Sequence, residues 1–157
     1  MALGIEDKFA IQEVIARYAL AYSNNEAETF SSLFAEDGLL EIGWSNVISS
    51  RLQGRKAIRD WAADVFKLMP VTRYARLWTS HPVVEGERDK AVATCFYNNL
   101  AATGDSLGTG VFRALLRHSK SGWLITQLTA MTDGSREESA AKEAMAVART
   151  RRGAPIA

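Results

Sequence analysis

Apolar residues recur at helical spacing over the first part of the chain and at strand spacing over most of the remainder. Ile11, Val14, Ile15, Tyr18 and Tyr22 fall at i, i+3, i+4, i+7 and i+11, which is one face of a helix. Asn24-Asn25 interrupts it, because asparagine tolerates left-handed dihedrals. Asn25 and Glu28 are spaced as a capping box for a second helix, with Ala27, Phe30, Leu33 and Phe34 as its buried face. Asp37-Gly38 is expected to stop that helix and open a run of strands. Residues 39–44 read as a short strand, Ser45-Asn46 as a turn, and a second short strand reaches Gln53. Behind Gly54 a third helix presents Ile58, Trp61, Ala62, Val65 and Met69 on one face. Pro70 ends it, since the residue before a proline is pushed out of the helical region.

From Tyr74 onward the pattern changes to long runs rich in aromatic and β-branched residues. Strands are predicted over residues 74–85, 91–102, 107–118 and 123–132, separated by polar turns at 86–89, 103–105 and 119–122. Successive strands joined by such short turns form an antiparallel meander. Strands near ten residues are long, which predicts strong curvature. Ser135-Arg136-Glu137-Glu138 is a capping box that opens an Ala-rich helix, with Arg149, Arg151 and Arg152 at its dipole-complementing end and Gly153 as its stop. The expected organisation is one domain over 1–134 and a C-terminal helix and tail over 135–157. Its fold class is α+β: a curved antiparallel sheet wrapped around the N-terminal helices, leaving a cone with an internal pocket.

Composition narrows the function classes. The chain of 157 residues carries a formal net charge of +1, with basic residues scattered outside the C-terminal arginines, so no pull toward nucleic acid is implied. Its lone cysteine, Cys95, excludes an internal disulfide and suits a reducing compartment. No apolar run reaches membrane-spanning length, and the N-terminus lacks the order of a signal peptide. A cytoplasmic protein without nucleic-acid or membrane partners is expected. No metal-ligand spacing, phosphate loop or dinucleotide fingerprint occurs, so neither a metal nor a cofactor is expected.

The ordered set Tyr18, Leu33-Phe34-Ala35-Glu36-Asp37-Gly38, Gly54-Arg55-Lys56-Ala57-Ile58, Val83-Val84-Glu85-Gly86 and Gly122-Trp123 resembles the SnoaL-like branch of the nuclear-transport-factor-2-like (cystatin-like) superfamily. It is similar there to scytalone-dehydratase-type and polyketide-cyclase-type members. The resemblance implies a small apolar pocket, frequent homodimers and cofactor-free lyase, isomerase or cyclase chemistry. It also implies a non-catalytic alternative, because the family includes small subunits of ring-hydroxylating dioxygenases. Dehydratase-like members carry a Tyr and an Asp near the end of helix one, a His on the first long strand and an Arg on the last. In this chain those positions fall on Tyr18, Ser23, Leu77 and Leu128, and a further Tyr and Asp fall on Phe112 and Ala114. A second alignment, through Thr72-Arg73-Tyr74, puts Tyr74 at the His position instead.

With that acid–base set absent, the remaining groups carry the expectation. General acid–base work at neutral pH needs a group that titrates nearby, and His81 is the base that strand alternation from Leu77 would bring inward. Pro82 directly behind it also allows a strand end, with His81 bonded to backbone. Tyr18 is expected to polarise a substrate oxygen. Tyr22, Leu77, Tyr97, Asn99, Phe112 and Leu128 are expected to bind substrate. One register of the 74–85 and 91–102 strands puts Tyr97 and Asn99 beside His81, and a one-residue slip reverses that. Cys95 fits a buried apolar thiol better than a nucleophile. Trp44, Trp61 and Trp78 are expected in the core or on a dimer surface, with Trp78 on the convex side. The expected ligand is a small hydrophobic or aromatic molecule, and the expected assembly a homodimer or higher homo-oligomer.

Overall fold

The structure, a computed structural model, describes residues 2–68, 76–101 and 104–134. In chain order its elements are α1 (Ile5–Ser23), α2 (Ala27–Ser32), β1 (Phe34–Trp44), β2 (Val47–Gln53), α3 (Arg55–Leu68), β3 (Arg76–Thr79), β4 (Val83–Glu87), β5 (Lys90–Leu100), β6 (Ser106–Ser119) and β7 (Gly122–Gly134). The strands form one sheet in the order β2-β1-β7-β6-β5-β3, with β4 also pairing β5. Hairpin neighbours are antiparallel, while β1 lies parallel to β7. That pairing joins strands far apart in sequence, so no tight turn dictates its direction. The result is the α+β cone expected from the sequence.

The helix faces read from spacing are the buried ones. Ile11, Ile15 and Tyr18 of α1, Phe30 of α2, and Ile58 and Ala62 of α3 are all buried, together with Leu40, Phe112, Ala114, Ile125 and Leu128 from the sheet. Each large apolar side chain taken from water here contributes about 1.5–3 kcal/mol. Tyr18 packs against Phe30 at 4.7 Å, Phe112 at 5.3 Å and Phe34 at 6.3 Å between ring centroids, which ties both leading helices to the sheet.

Several boundaries differ from the sequence expectation. Helix α2 ends at Ser32, and Phe34 already belongs to β1. Asp37-Gly38 therefore lies inside that strand, at an irregularity between Phe34 and Leu39, rather than ending a helix. Asn25 is left-handed as expected (φ 60°), but Glu26 occupies the cap position and no side-chain cap bond forms. The strand expected over 74–85 is two strands: β3 ends at Thr79, Ser80 N still donates to Phe96 O, and Pro82, which cannot donate to a ladder, lies in the gap before β4. The turn expected at 86–89 contracts to Arg88-Asp89, with Gly86 and Glu87 paired to β5. Met69, Pro70, Tyr74 and the helix expected from Ser135 lie outside the described residues.

Candidate functional site

Between α1, α3 and the inner face of the sheet lies a half-enclosed cavity of about 210 Å³. Helix α1 supplies Tyr18 and Tyr22, one turn apart on one face, and α3 supplies Trp61 and Val65. The sheet supplies Ile42 and Trp44, Leu77, Tyr97 and Asn99, Leu107, Gly108 and Phe112, and Ala130 and Thr132. In β3 and β5 the register is Leu77 opposite Asn99 and Thr79 opposite Tyr97, which sets Tyr97 and Asn99 on the Leu77 side of the sheet without bringing His81 to them. Leu77, Tyr97 and Asn99 then share the cavity side, while Trp78 and Phe96 point outward, 63% and 71% exposed.

Aromatic surface dominates the wall. Tyr97 and Phe112 stack with centroids 4.2 Å apart and planes at 14°. Gly110 makes room for that stack, since a Cβ there would stand 2.8 Å from the Tyr97 hydroxyl and 2.1 Å from the Met131 carbonyl. The polar atoms are few. Tyr97 Oη and Thr132 Oγ1 bond at 2.5 Å. Asn99 Nδ2 donates to Tyr22 Oη at 3.3 Å. Burial raises the pKa of Tyr18, assisted by Tyr22, Tyr97 and Cys95 nearby. Burial also raises Tyr22 and Tyr97, partly offset by their bonds to Asn99 and Thr132. All three phenols are therefore neutral hydrogen-bond donors at any physiological pH. Cys95 is pushed up to about 11 by burial, which leaves a thiol and no nucleophile.

Of the residues expected to act together, the cavity gathers Tyr18, Tyr22, Leu77, Tyr97, Asn99 and Phe112. It does not gather His81. That imidazole lies in a separate surface groove with Phe9, Gln12, Glu13, Ala16, Thr79, Ser80 and Pro82, and its Nε2 accepts from Gln12 Nε2 at 2.8 Å. The reason is geometric. Leu77 N donates to Ser23 Oγ at 3.0 Å, whereas Gln12 Nε2 donates to Pro82 O at 3.3 Å, so the β3–β4 segment runs back along α1 from its end toward its beginning. Gln12 and Tyr18 are six residues apart, about 9 Å along the axis and about 120° around it. The structure therefore does not bring Tyr18 and His81 together.

Nor does the cavity gather Leu128, which is fully buried in the core and is not among the described lining residues. Ser23, at the position where dehydratase-like members have Asp, spends its hydroxyl on structure. It donates to Ala19 O at 2.8 Å and accepts from Leu77 N, pinning β3 to the end of α1. Sequence reasoning missed Ile42, Trp44, Trp61, Val65, Leu107, Gly108, Ala130 and Thr132 as lining residues. Alternation through Leu40, Ile42 and Trp44, and through Leu128, Ala130 and Thr132, was the signal that would have found half of them. Among the described residues no three His, Cys, Asp or Glu side chains come together as metal ligands, and no helix is long and apolar enough to cross a membrane.

A helix-lined cone of this kind defines the nuclear-transport-factor-2-like, cystatin-like fold. The profile of the SnoaL-like domain matches residues 4–129, and the chain belongs to that family. Solved structures agree on the fold. An NTF2-like protein with a cystatin-like fold from Novosphingobium aromaticivorans is 25% identical, with TM-score 0.72 over 87% of this chain and 88% of that one. A proposed dehydratase of the NTF2-like family from Streptomyces avermitilis is 19% identical, with TM-score 0.64 over 81% and 96%. The beta subunit of a proposed aromatic-ring-hydroxylating dioxygenase from N. aromaticivorans is 18% identical, with TM-score 0.70 over 82% and 90%. Comparison with curated proteins finds no match.

Proposed function

We propose that this chain is a small-molecule binding member of its family, whose cavity takes a flat, largely apolar molecule of one or two rings. An apolar cavity of about 150 Å³ holds benzene, so about 210 Å³ suits a substituted ring or a fused bicycle and not a larger polycycle. Tyr18 and Tyr22 would donate to one oxygen of that molecule, and the Tyr97–Phe112 stack would provide its flat wall. The observation that carries this reading is a wall of rings and neutral hydroxyls with no carboxylate, imidazole or amine among the described lining residues. Such a set binds and orients; it has no group that accepts a proton at neutral pH.

A catalytic role rests on one arm alone. Two tyrosine donors aimed at a carbonyl stabilise the charge that develops on its oxygen during enolisation, with solvent as the base. That is the isomerase-like end of the family's chemistry, and it needs no histidine. The exposed Trp78, Phe96 and Val83 on the outer face support association with a second copy or another chain.

Incubation with 1-tetralone in D₂O separates the readings. Binding with α-hydrogen exchange at the buffer rate is the expected result. Exchange accelerated by the protein and lost in Tyr18→Phe would make it an enzyme, and absence of binding by tetralone and by any fused bicycle would remove the ligand reading.

A further inference from the structure

The Asn99 side-chain amide is half engaged. Its nitrogen donates to Tyr22, while its Oδ1 is buried and has no hydrogen-bond partner among the described residues. Buried amide oxygens without a donor are rare in native proteins, and each asks for an explanation. Tyr22 presents the complementary case. Its oxygen has accepted from Asn99, and its own proton remains to be donated. Tyr22 and Asn99 both line the cavity, with the unpaired amide oxygen covered beside the Tyr22 hydroxyl.

We propose that Asn99 and Tyr22 together read a hydroxyl on the bound molecule, Tyr22 donating to its oxygen and Asn99 Oδ1 accepting its hydrogen. The terminal torsion of an asparagine amide is broad, so a partial turn about Cβ–Cγ uncovers the oxygen to the ligand while Nδ2 stays beside Tyr22. A phenol or alcohol satisfies both partners. A ketone or an ether satisfies Tyr22 alone and leaves the amide oxygen still unpaired. Sites built to pair both ends of a hydroxyl reject the analogue lacking it far more strongly than an apolar wall discriminates by shape. The inference rests on the cavity being the ligand site, and it assigns the ligand class as hydroxylated one- or two-ring aromatics.

Calorimetric titration of the full chain with naphthalene, 2-methoxynaphthalene and 2-naphthol tests it. All three share the fused bicycle, and 2-naphthol alone both donates and accepts. 2-Naphthol is expected to bind at least about tenfold more tightly than 2-methoxynaphthalene, as one recovered buried hydrogen bond allows. Asn99→Leu should erase that ratio, read within the variant as 2-naphthol against 2-methoxynaphthalene. Binding of 2-naphthol and 2-methoxynaphthalene at equal strength, or a 2-naphthol advantage that survives in Asn99→Leu, overturns the hydroxyl assignment and leaves the cavity as a ligand site. Failure of all three to bind overturns the cavity reading itself. Should Asn99→Leu not fold, Tyr22→Phe poses the same question from the donor side, and the ratio on the unaltered chain decides without either variant.

Discussion

The cavity and the His81 groove are built on the same two elements, α1 and β3, yet they hold different chemistry. Near the end of α1 the cavity collects Tyr18, Tyr22 and Leu77, buried or half-buried and backed by Phe30 and Phe112. Nearer its beginning the groove collects half-buried Gln12 and Thr79 with an exposed His81, beside the exposed Phe9. A residue two places along a strand keeps its side, but the strand also advances about 6.6 Å, so keeping the side does not mean keeping the site. Four residues beyond Leu77, past the end of β3, that advance has carried the imidazole out of the cavity's reach. The difference separates a place suited to holding an apolar ligand from one with a titratable group and no enclosure.

Experiments that break the cavity should act far more strongly than those that touch the groove. Phe30→Ala removes a ring packed against Tyr18, Tyr22, Phe34, Trp61 and Phe66, and should cost about 4 kcal/mol in denaturant unfolding. Ala130→Leu grows into the cavity from its β7 wall and should weaken binding of a fused bicycle at least about tenfold in calorimetry, with unfolding free energy moved by about 1 kcal/mol.

A smaller effect is expected at alkaline pH. Tyr18, Tyr22 and Tyr97 hold their protons above the ordinary value of 10.0 in the folded state. Above that pH the unfolded chain has released protons that the folded chain still binds, so stability must fall as pH rises past 10. Between pH 6 and pH 9 these tyrosines contribute no slope, and ligand affinity should be flat there. A step in affinity within that range would show a titrating group in the site and contradict the reading.

The smallest effect belongs to His81→Ala, expected to shift stability by less than about 0.5 kcal/mol and ligand affinity not at all. A tenfold loss of binding in that variant would collapse the distinction between the two regions.

The fold was legible in the sequence because its signals are local and repeated. Helical spacing marked Ile11, Ile15, Tyr18, Ile58 and Ala62, and each is buried. Strand alternation placed Tyr97, Asn99 and Phe112 on the cavity side once the register was known. What stayed hidden depended on breaks in those periods. Pro82 announces a break without saying where the chain goes next, and a bond between Gln12 and His81 joins residues that no period relates. The parallel pairing of β1 with β7 left no turn signal. It is this pairing that brings Ile42 and Trp44 beside Ala130 and Thr132 and completes the wall. Ser23 shows the same limit: the missing carboxylate was evident, but its role in anchoring β3 required Leu77 to be seen above it.

The most direct test of where the molecule binds is a titration of the ¹⁵N-labelled chain with 2-naphthol, followed by amide chemical shifts. Saturable shifts at Leu107, Gly108, Ala130 and Thr132, with Ser80, His81 and Gln12 unmoved, are the predicted result. Saturable shifts confined to Ser80, His81 and Gln12, with the cavity strands silent, would contradict it.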